Sequence, residues 1–573
     1  MKRGVLFFLM LSWILTAAGQ YNNLSGRENH LPDDFPVPEI VYSDNPAPGY
    51  FFLSPAGLWG FFPDATPYLV IMDNYGTPVY FSEQSSAAFD FKIQKDGSIT
   101  YAYGTRGHWH HVLNDKLEFV KDLKVNGFPN DFHDLVVLDD SHYLMLANEY
   151  RIVDMDTVVE GGHEGVTVLG GVIQIQDSED NVLFHWSTFD HFLITDAADN
   201  VDLTDSNSVD YVHINSIDMD SDSTIIMSSK NLNEVTKIRV SDGEIVWRMG
   251  GENNMFTFSN DTAVFSAQHD FRRLDDGTYT LFDNNWFFEE EGSRASFFDL
   301  DEENYYADLV KQFKSYPDPI ESRIMGNVQS LPDGHWVVGW GSGDPNFTEF
   351  NADGTKAIEV RYDAVSYRAF KFDWKPTAFI FNMDTADFGG VGLTQPVTKR
   401  VVLTNNLQED IEINYIHRNG TFFDISDELP VQIAAGAEAT FHIRFTPDGN
   451  EGTFEDLLTF CWDTEQDELS KRVAAQIPVR AEASVNGGIE NELAGKVKVY
   501  PNPFKGKIIV EVKPEWQDME IFINLTNAVG QVVYKNSFKG QSAEISTAGL
   551  PEGFYQLQLS SANGRMVRKL VKY

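Results

Sequence analysis

One cysteine, Cys461, in 573 residues excludes an intramolecular disulfide framework and any CxxC zinc site. Basic side chains are scarce: 43 Lys and Arg stand against 86 Asp and Glu, a net charge of −43. That balance argues against binding nucleic acid, which needs clustered Lys and Arg, and against an anionic membrane surface. Long apolar runs are missing beyond the N-terminus, and no stretch longer than ten residues carries a convincing 3.6 period. Residues 299–313 come nearest to one, and they also read as a broken strand. What is present points to β structure. Aromatic content is 13%, and 43 Gly with 23 Pro supply frequent turns. Hydrophobic content of 42% is ordinary, so the acidity is not that of a disordered chain. The length suggests roughly three to five domains.

The two ends differ from the rest. Residues 1–19 read as a secretory signal peptide: a charged start, an apolar run over 5–15, then small residues before a cut after Gly19. The run is too short to span a bilayer. At the other end, a small-residue linker over 484–495 precedes a text of short alternating strands over 496–573. Its pieces are VYPNPF (499–504), NAVGQVV (527–533), GLPEGFYQLQL (549–559) and RMVRKLVKY (565–573). Together they resemble the C-terminal sorting domain of the type IX secretion system. The resemblance implies export through the periplasm and across the outer membrane, to the surface or the medium, with the secretion machinery as a partner.

Between the ends, a repeat dominates. An apolar residue, an acidic turn and a β-rich strand recur at Ile93–Thr100, Val137–Leu144, Met219–Ile226, Arg273–Thr280 and Ser330–Val337. Asp-Gly between alternating runs is a hairpin signal, because Gly accepts positive φ. A second turn pattern interleaves, beginning at Asp73, Asp180, Asp242 and Asp353. Two hairpins per unit of ~40–55 residues make a four-stranded sheet, and radial repetition of such sheets is a β-propeller. The count over residues 45–375 gives six blades. His142 and His335 fall at turn positions and read as structural. Residues 385–483 keep period two in other units, with strands over 399–404, 411–417, 438–445, 457–461 and 472–480, and fit an Ig-like β-sandwich. Cys461 there reads as a buried filler. The expected fold is all-β: a six-bladed β-propeller, an Ig-like sandwich and a small C-terminal sandwich.

A propeller's innermost strands line its axis, so reactive residues in equal phase converge. His133 in DFHDL, His213 in DYVHINSI and His269 in AQHDF each lie about five residues before an acidic turn element, at Asp139, Asp218 and Asp275. The three are expected to point toward the axis. Asp134 and Asp270 alternate to the opposite face and suit backbone hydrogen bonds. A neutral imidazole can attack an electrophile and form a covalent intermediate, cations can hold the developing charge, and a second imidazole can move the proton. In so acidic a chain an anionic substrate needs a local positive island, which Lys230 and the histidines supply. Tyr101, Tyr103, Trp109, Trp286 and Trp340 are the aromatics near these strands. The run Gly107-His108-Trp109-His110-His111 has no acidic or cysteine partner at ligand spacing, so neither a metal nor a cofactor is predicted.

DYVHINSI (210–217), GEIVWRMGG (243–251), FSAQHDFRRLDDGTYTLFDNN (265–285), GNVQSLPDGHWVVGWG (326–341) and SYRAFKFDW (366–374) resemble the bacterial, nucleotide-independent arylsulfotransferase family. The resemblance implies transfer of a sulfuryl group from an aryl sulfate donor to a phenolic acceptor through a sulfurylated histidine. It makes His269 the nucleophile and His213 and His133 its acid/base and oxyanion partners. The family's arginine is replaced by lysine in Ser228-Ser229-Lys230, which keeps the charge and loses the planar fork. Asn215, Arg248 and Trp286 complete the expected substrate-binding set, with Arg272 a second candidate to replace the missing fork. Two other readings stand beside this one: a binding propeller without activity, favoured by Lys230, and a hydrolase or lyase using the same histidines.

Overall fold

A computed structural model describes residues 30–573 except 59–61, 105–108, 222, 261–263, 287–290, 316–317, 467, 485–495, 515–516, 518, 529 and 562–563. The expected signal peptide, most of the linker and His108 lie outside the described residues. The described residues form two compact units: those up to 375 with 465–471, and those over 376–464 with 472–573.

The first unit is a six-bladed propeller. Blades one to five run in sequence order as four-stranded antiparallel meanders over residues 88–123, 130–187, 214–250, 269–313 and 327–361. The sixth is shared between distant segments. Its inner strand is Val365–Phe372, and its next three are Tyr50–Ala56, Tyr68–Met72 and Pro78–Glu83. The two ends of the propeller segment are thereby stitched into one sheet, which closes the ring. The 299–313 segment is not helical: Arg294–Asp301 and Tyr306–Phe313 form a hairpin. No α-helix occurs among the described residues. Blade faces are sealed by aromatic and β-branched side chains, with Trp186, Trp247 and Trp340 fully buried. His142 bonds to Asp139 at 2.8 Å, and His335 to Glu349 at 2.8 Å, as turn residues.

Five of the six inner strands carry a bulge at one level. Register breaks fall between Phe89 and Lys92, within 131–134, at Asn215, between His269 and Arg272, and at Tyr367–Arg368. Only Asn327–Ser330 pairs without one. A bulge bends its strand and re-aims the local side chains. Neighbouring inner strands are joined by side chains at this level. Asp134 accepts from the Ile217 N–H, Ser216 from the Phe271 N–H and Asp270 from the Val328 N–H, each at 3.0 Å. Each bond crosses from one blade to the next.

The second unit holds the remaining sheets. One has the order Phe379–Phe381, Val397–Asn405, Glu438–Phe445, Phe423–Ile425. Cys461, on the strand Gly452–Gln466, is buried. The C-terminal sandwich packs a three-stranded sheet beginning at Val497–Tyr500 against a four-stranded one ending at Gly564–Lys572, around Phe504, Ile523, Leu557 and Leu570.

Candidate active site

The side-chain bonds between blades define which positions are equivalent. One residue before Asp134, Ser216 and Asp270 stand His133, Asn215 and His269. His213 is therefore two residues out of phase with the other histidines. The turn that follows it is built at Asp220, whose carbonyl accepts from the Ser223 N–H, and not at Asp218. His213 reaches the site by another route. It sits just ahead of its strand with φ at 48°, a conformation unusual for a non-glycine residue. The left-handed region is also occupied at Asp90, Ala267, Asp270 and Met325. Such strain clusters where surrounding structure holds functional groups in place.

The three histidines are oriented in two ways. The His133 Nδ1–H donates to Asp131 at 2.5 Å, and the His213 Nδ1–H to Asp210 at 2.7 Å. A carboxylate only accepts, so Nδ1 keeps its proton and each Nε2 is left as the nitrogen that can take up or release one. The two rings meet edge to face with centroids 4.8 Å apart. His269 has no carboxylate. Its Nδ1–H donates to Asn284 Oδ1 at 2.8 Å and to the Ala267 carbonyl at 3.1 Å, while Nε2 accepts from the Met325 N–H at 3.3 Å. The Asn284 amide is fixed in turn, donating to the carbonyls of Ser322 (2.8 Å) and Met325 (3.0 Å). Tyr367 lies against both sides, its ring 5.6 Å from His133 and 6.5 Å from His269.

Electrostatics follow from these contacts. Burial pushes His269 well below the usual histidine range; Asn284 opposes this, while Lys230, His213 and His133 add to it. Burial also lowers His213 against the pull of Asp210, and lowers Lys230 against the same carboxylate. Burial raises the Asp131 carboxyl, but its bonds and charge contact with His133 outweigh that and hold it below the usual range. Lys230 opens the short turn Lys230–Leu232; its N–H donates to the His213 carbonyl at 2.9 Å and its Nζ to Asn231 at 3.2 Å.

Asn215 is fully buried and donates to the Gln268 carbonyl at 2.6 Å, with its Oδ1 unpartnered. Its own carbonyl accepts from Tyr367 Oη at 3.1 Å and from Arg368 at 2.9 Å. Arg248 is tied to Glu234 at 2.8 Å and Asp196 at 3.1 Å. Trp286 stands over the Arg323 guanidinium, 5.7 Å from its ring centroid, in a shallow recess beside Asn284. Among the expected aromatics, Trp340 is core, Tyr101 stacks on His111 and Trp109 carries Lys124 over its ring. His110 is buried against Asn130, and burial drives its pKa down to about 4. No metal-holding group of side chains occurs among the described residues.

One residue along each strand lies an ionic floor. Arg368 contacts Asp90 (2.6 Å), Asp134 (3.3 Å) and Asp270 (3.4 Å). Lys92 bridges Asp90 and Asp134 at 2.7 Å each, and Arg272 bridges Asp134 (2.6 Å) and Asp270 (2.9 Å). Three cations thus answer three carboxylates. Burial alone would raise Asp134, yet Arg272, Lys92 and Arg368 hold it far below the carboxylate range. Arg272 is committed to this floor. Asp134 and Asp270 do take backbone bonds, from Ile217 and Val328, but they do not alternate to the opposite face: the bulges bring both to the axial cluster. Counting from turns did not reveal Asp131, Asp210, Asn284, Tyr367 or Arg368. The Asp-x-His and Asp-x-x-His spacings were the available signal for the first two.

A cavity of about 420 Å³ opens beside His133 and His213. Its walls include Phe132, Asn148, Tyr150, Leu169 and Val212. His269 does not line it and is only 2% exposed.

Residues 109–363 match the sequence model of the family described as arylsulfotransferase (ASST), and residues 498–573 that of the secretion system C-terminal sorting domain. No curated protein matches the chain. Among solved structures it is similar to a protein of unknown function from Bacteroides caccae (10% identity, 57% of this chain and 99% of that one, TM-score 0.33). A virginiamycin B lyase from Staphylococcus aureus is 8% identical over 56% of this chain and 87% of that one, TM-score 0.30. PorZ, a surface component of the type IX secretion system of Porphyromonas gingivalis, is 11% identical over 88% of this chain and 73% of that one, TM-score 0.23.

Proposed function

We propose that this is an exported aryl-sulfate sulfotransferase, delivered through a cleaved signal peptide and the type IX sorting domain, that works without a nucleotide donor. In the first half-reaction, His269 Nε2 attacks the sulfur of a phenolic sulfate ester. The S–N bond forms as the S–O(aryl) bond breaks, and the phenolate leaves with a proton from His133 or His213. In the second, the same imidazole removes the proton of an acceptor phenol, whose oxygen attacks sulfur and expels His269. Splitting the transfer this way replaces one hard step by two easier ones.

The division of labour among the histidines is the observation that carries this reading. Each carboxylate holds the Nδ1 proton of its histidine and leaves Nε2 for proton exchange, which suits His133 and His213 to proton transfer. His269 is held by an amide and a carbonyl, is kept neutral by burial and keeps its proton on Nδ1. The Nε2 lone pair is thus the nucleophile. The Met325 N–H now spent on that nitrogen becomes a donor to a sulfuryl oxygen once Nε2 is occupied, and Lys230 supplies the charge. Asn215 keeps the strand beneath the sulfuryl group in place.

Incubation with 4-nitrophenyl sulfate tests this. Nitrophenol release that needs added phenol, with one sulfuryl group of added mass on His269, is expected. Release without an acceptor would make the protein a hydrolase, and no release with no mass gain would leave a binding propeller.

A further inference from the structure

The long hairpin of blade two builds a wall that the other blades lack. His142–Val153 and Val166–Asp177 pair over twelve residues, against ten in Asn130–Asp139 and six in Val182–Ser187 on either side. Its far part, from Asn148 and Tyr150 across to Leu169, Gly170 and Gly171, forms one side of the 420 Å³ cavity. Gly170 lets it lie close to the Thr188–Asp190 turn, and Gly171 close to blade three. A Cβ on Gly170 would come within 2.5 Å of the Phe189 ring, and one on Gly171 within 2.3 Å of Ile214 Cδ1. The opposite side carries Phe132, whose ring stacks on His133 at 4.1 Å. Tyr150 is 45% exposed, a free aromatic face at the mouth.

This volume exceeds the ~150 Å³ that encloses a benzene and suits one substituted ring or two. The charge of the wall is one-sided. Asp131 and Asp210 line the cavity, and none of its described lining residues is Lys or Arg. Lys230 is outside that set.

We propose that this cavity is the acceptor site and that it selects phenols bearing a cationic amine over phenols bearing a carboxylate. The inference rests on the sulfuryl-transfer reading for its chemistry, since the acceptor hydroxyl must meet His133 or His213. Its selectivity rests only on the wall. A like charge facing two carboxylates in a partly dry cavity is repelled, and an opposite one attracted.

With 4-nitrophenyl sulfate as donor and the full chain, kcat/KM should fall in the order tyramine, phenol, 4-hydroxyphenylacetate, with about tenfold between the ends at low salt and less at high salt. Asp210→Asn should narrow the ratio of amine to acid, whatever it does to the absolute rates. Equal rates, or preference for the acid, would overturn the proposal. Calorimetric binding of tyramine and 4-hydroxyphenylacetate to the unreacted protein gives the same comparison without turnover. If no acceptor is sulfurylated but tyramine binds more tightly, the transfer reading fails while the cavity's selectivity stands. If neither binds, or the acid binds as well, the selectivity falls.

Discussion

The histidine layer and the ionic floor stand one residue apart on the same strands, yet they are built on opposite terms. In the floor, every charge meets its counter-charge: Asp90, Asp134 and Asp270 against Lys92, Arg272 and Arg368. In the layer above, Lys230 has no carboxylate within bonding distance among the described residues, and His269 is held only by neutral groups. The floor is saturated and rigid. The site keeps a lone pair and a cation in reserve. A bulge at the same level of each strand makes this adjacency possible, because it turns consecutive side chains toward one axis instead of opposite faces.

Substitutions in the two layers should therefore fail in different ways. His269→Asn should reduce sulfuryl transfer by ~10³-fold or more. Chemical denaturation should show its stability nearly unchanged. Arg368→Met should do the reverse first, costing about 3–5 kcal/mol in urea unfolding because three buried carboxylates lose a shared partner. Equal damage from both to folding and to rate would erase the distinction between the layers.

Asn284→Ala sits between them. It frees the His269 ring to choose either tautomer and should lower kcat by about 100-fold. Asn284→Asp should instead raise the pKa of His269, which the acid limb of the rate profile would report.

Acid separates the layers again. His269 is depressed below 6.5 in the fold, so it stays neutral, and transfer persists, as pH falls through that value. The unfolded chain takes up the proton there, so stability declines over the same interval. The floor behaves differently. Asp134 is depressed below the ordinary carboxylate range, so its contribution is intact above about pH 4 and is lost only as pH falls further. An acid limb of kcat/KM centred above 6.5 would contradict the neutral-nucleophile assignment. The smallest effect is expected from Lys230→Arg, which restores a two-pronged donor and should raise kcat/KM by a few-fold.

The propeller was legible from its turns, because Asp-Gly hairpins recur whatever lies between them. The sharing of the sixth blade between Val365–Phe372 and Tyr50–Glu83 was not legible, because pairing between segments so far apart leaves no local spacing. The site was legible only in part. His133 and His269 were found in phase, but the phase of His213 was miscounted, since bulges add residues that a period of two does not register. Tyr367 and Arg368 stand unmarked inside SYRAFKFDW, because nothing in a linear text distinguishes a charge on the axis from one on a blade face. Asn284 lies fifteen residues from the histidine it orients, just past the end of the next strand, Tyr279–Asp283. That distance is bridged by pairing, not by spacing.

The closing blade has one more consequence, for the order of assembly. Val365–Phe372 is the last propeller strand to be made, and it brings both Tyr367 and Arg368 to the axis. Until it docks on Tyr50–Ala56, the three aspartates of the floor face one another with one cation too few. The ring then has an electrostatic reason to stay open while the chain is incomplete, and a reason to close once both ends of the propeller segment are present. Closure, neutralisation and completion of the histidine site become a single event, so a half-made copy carries no working site.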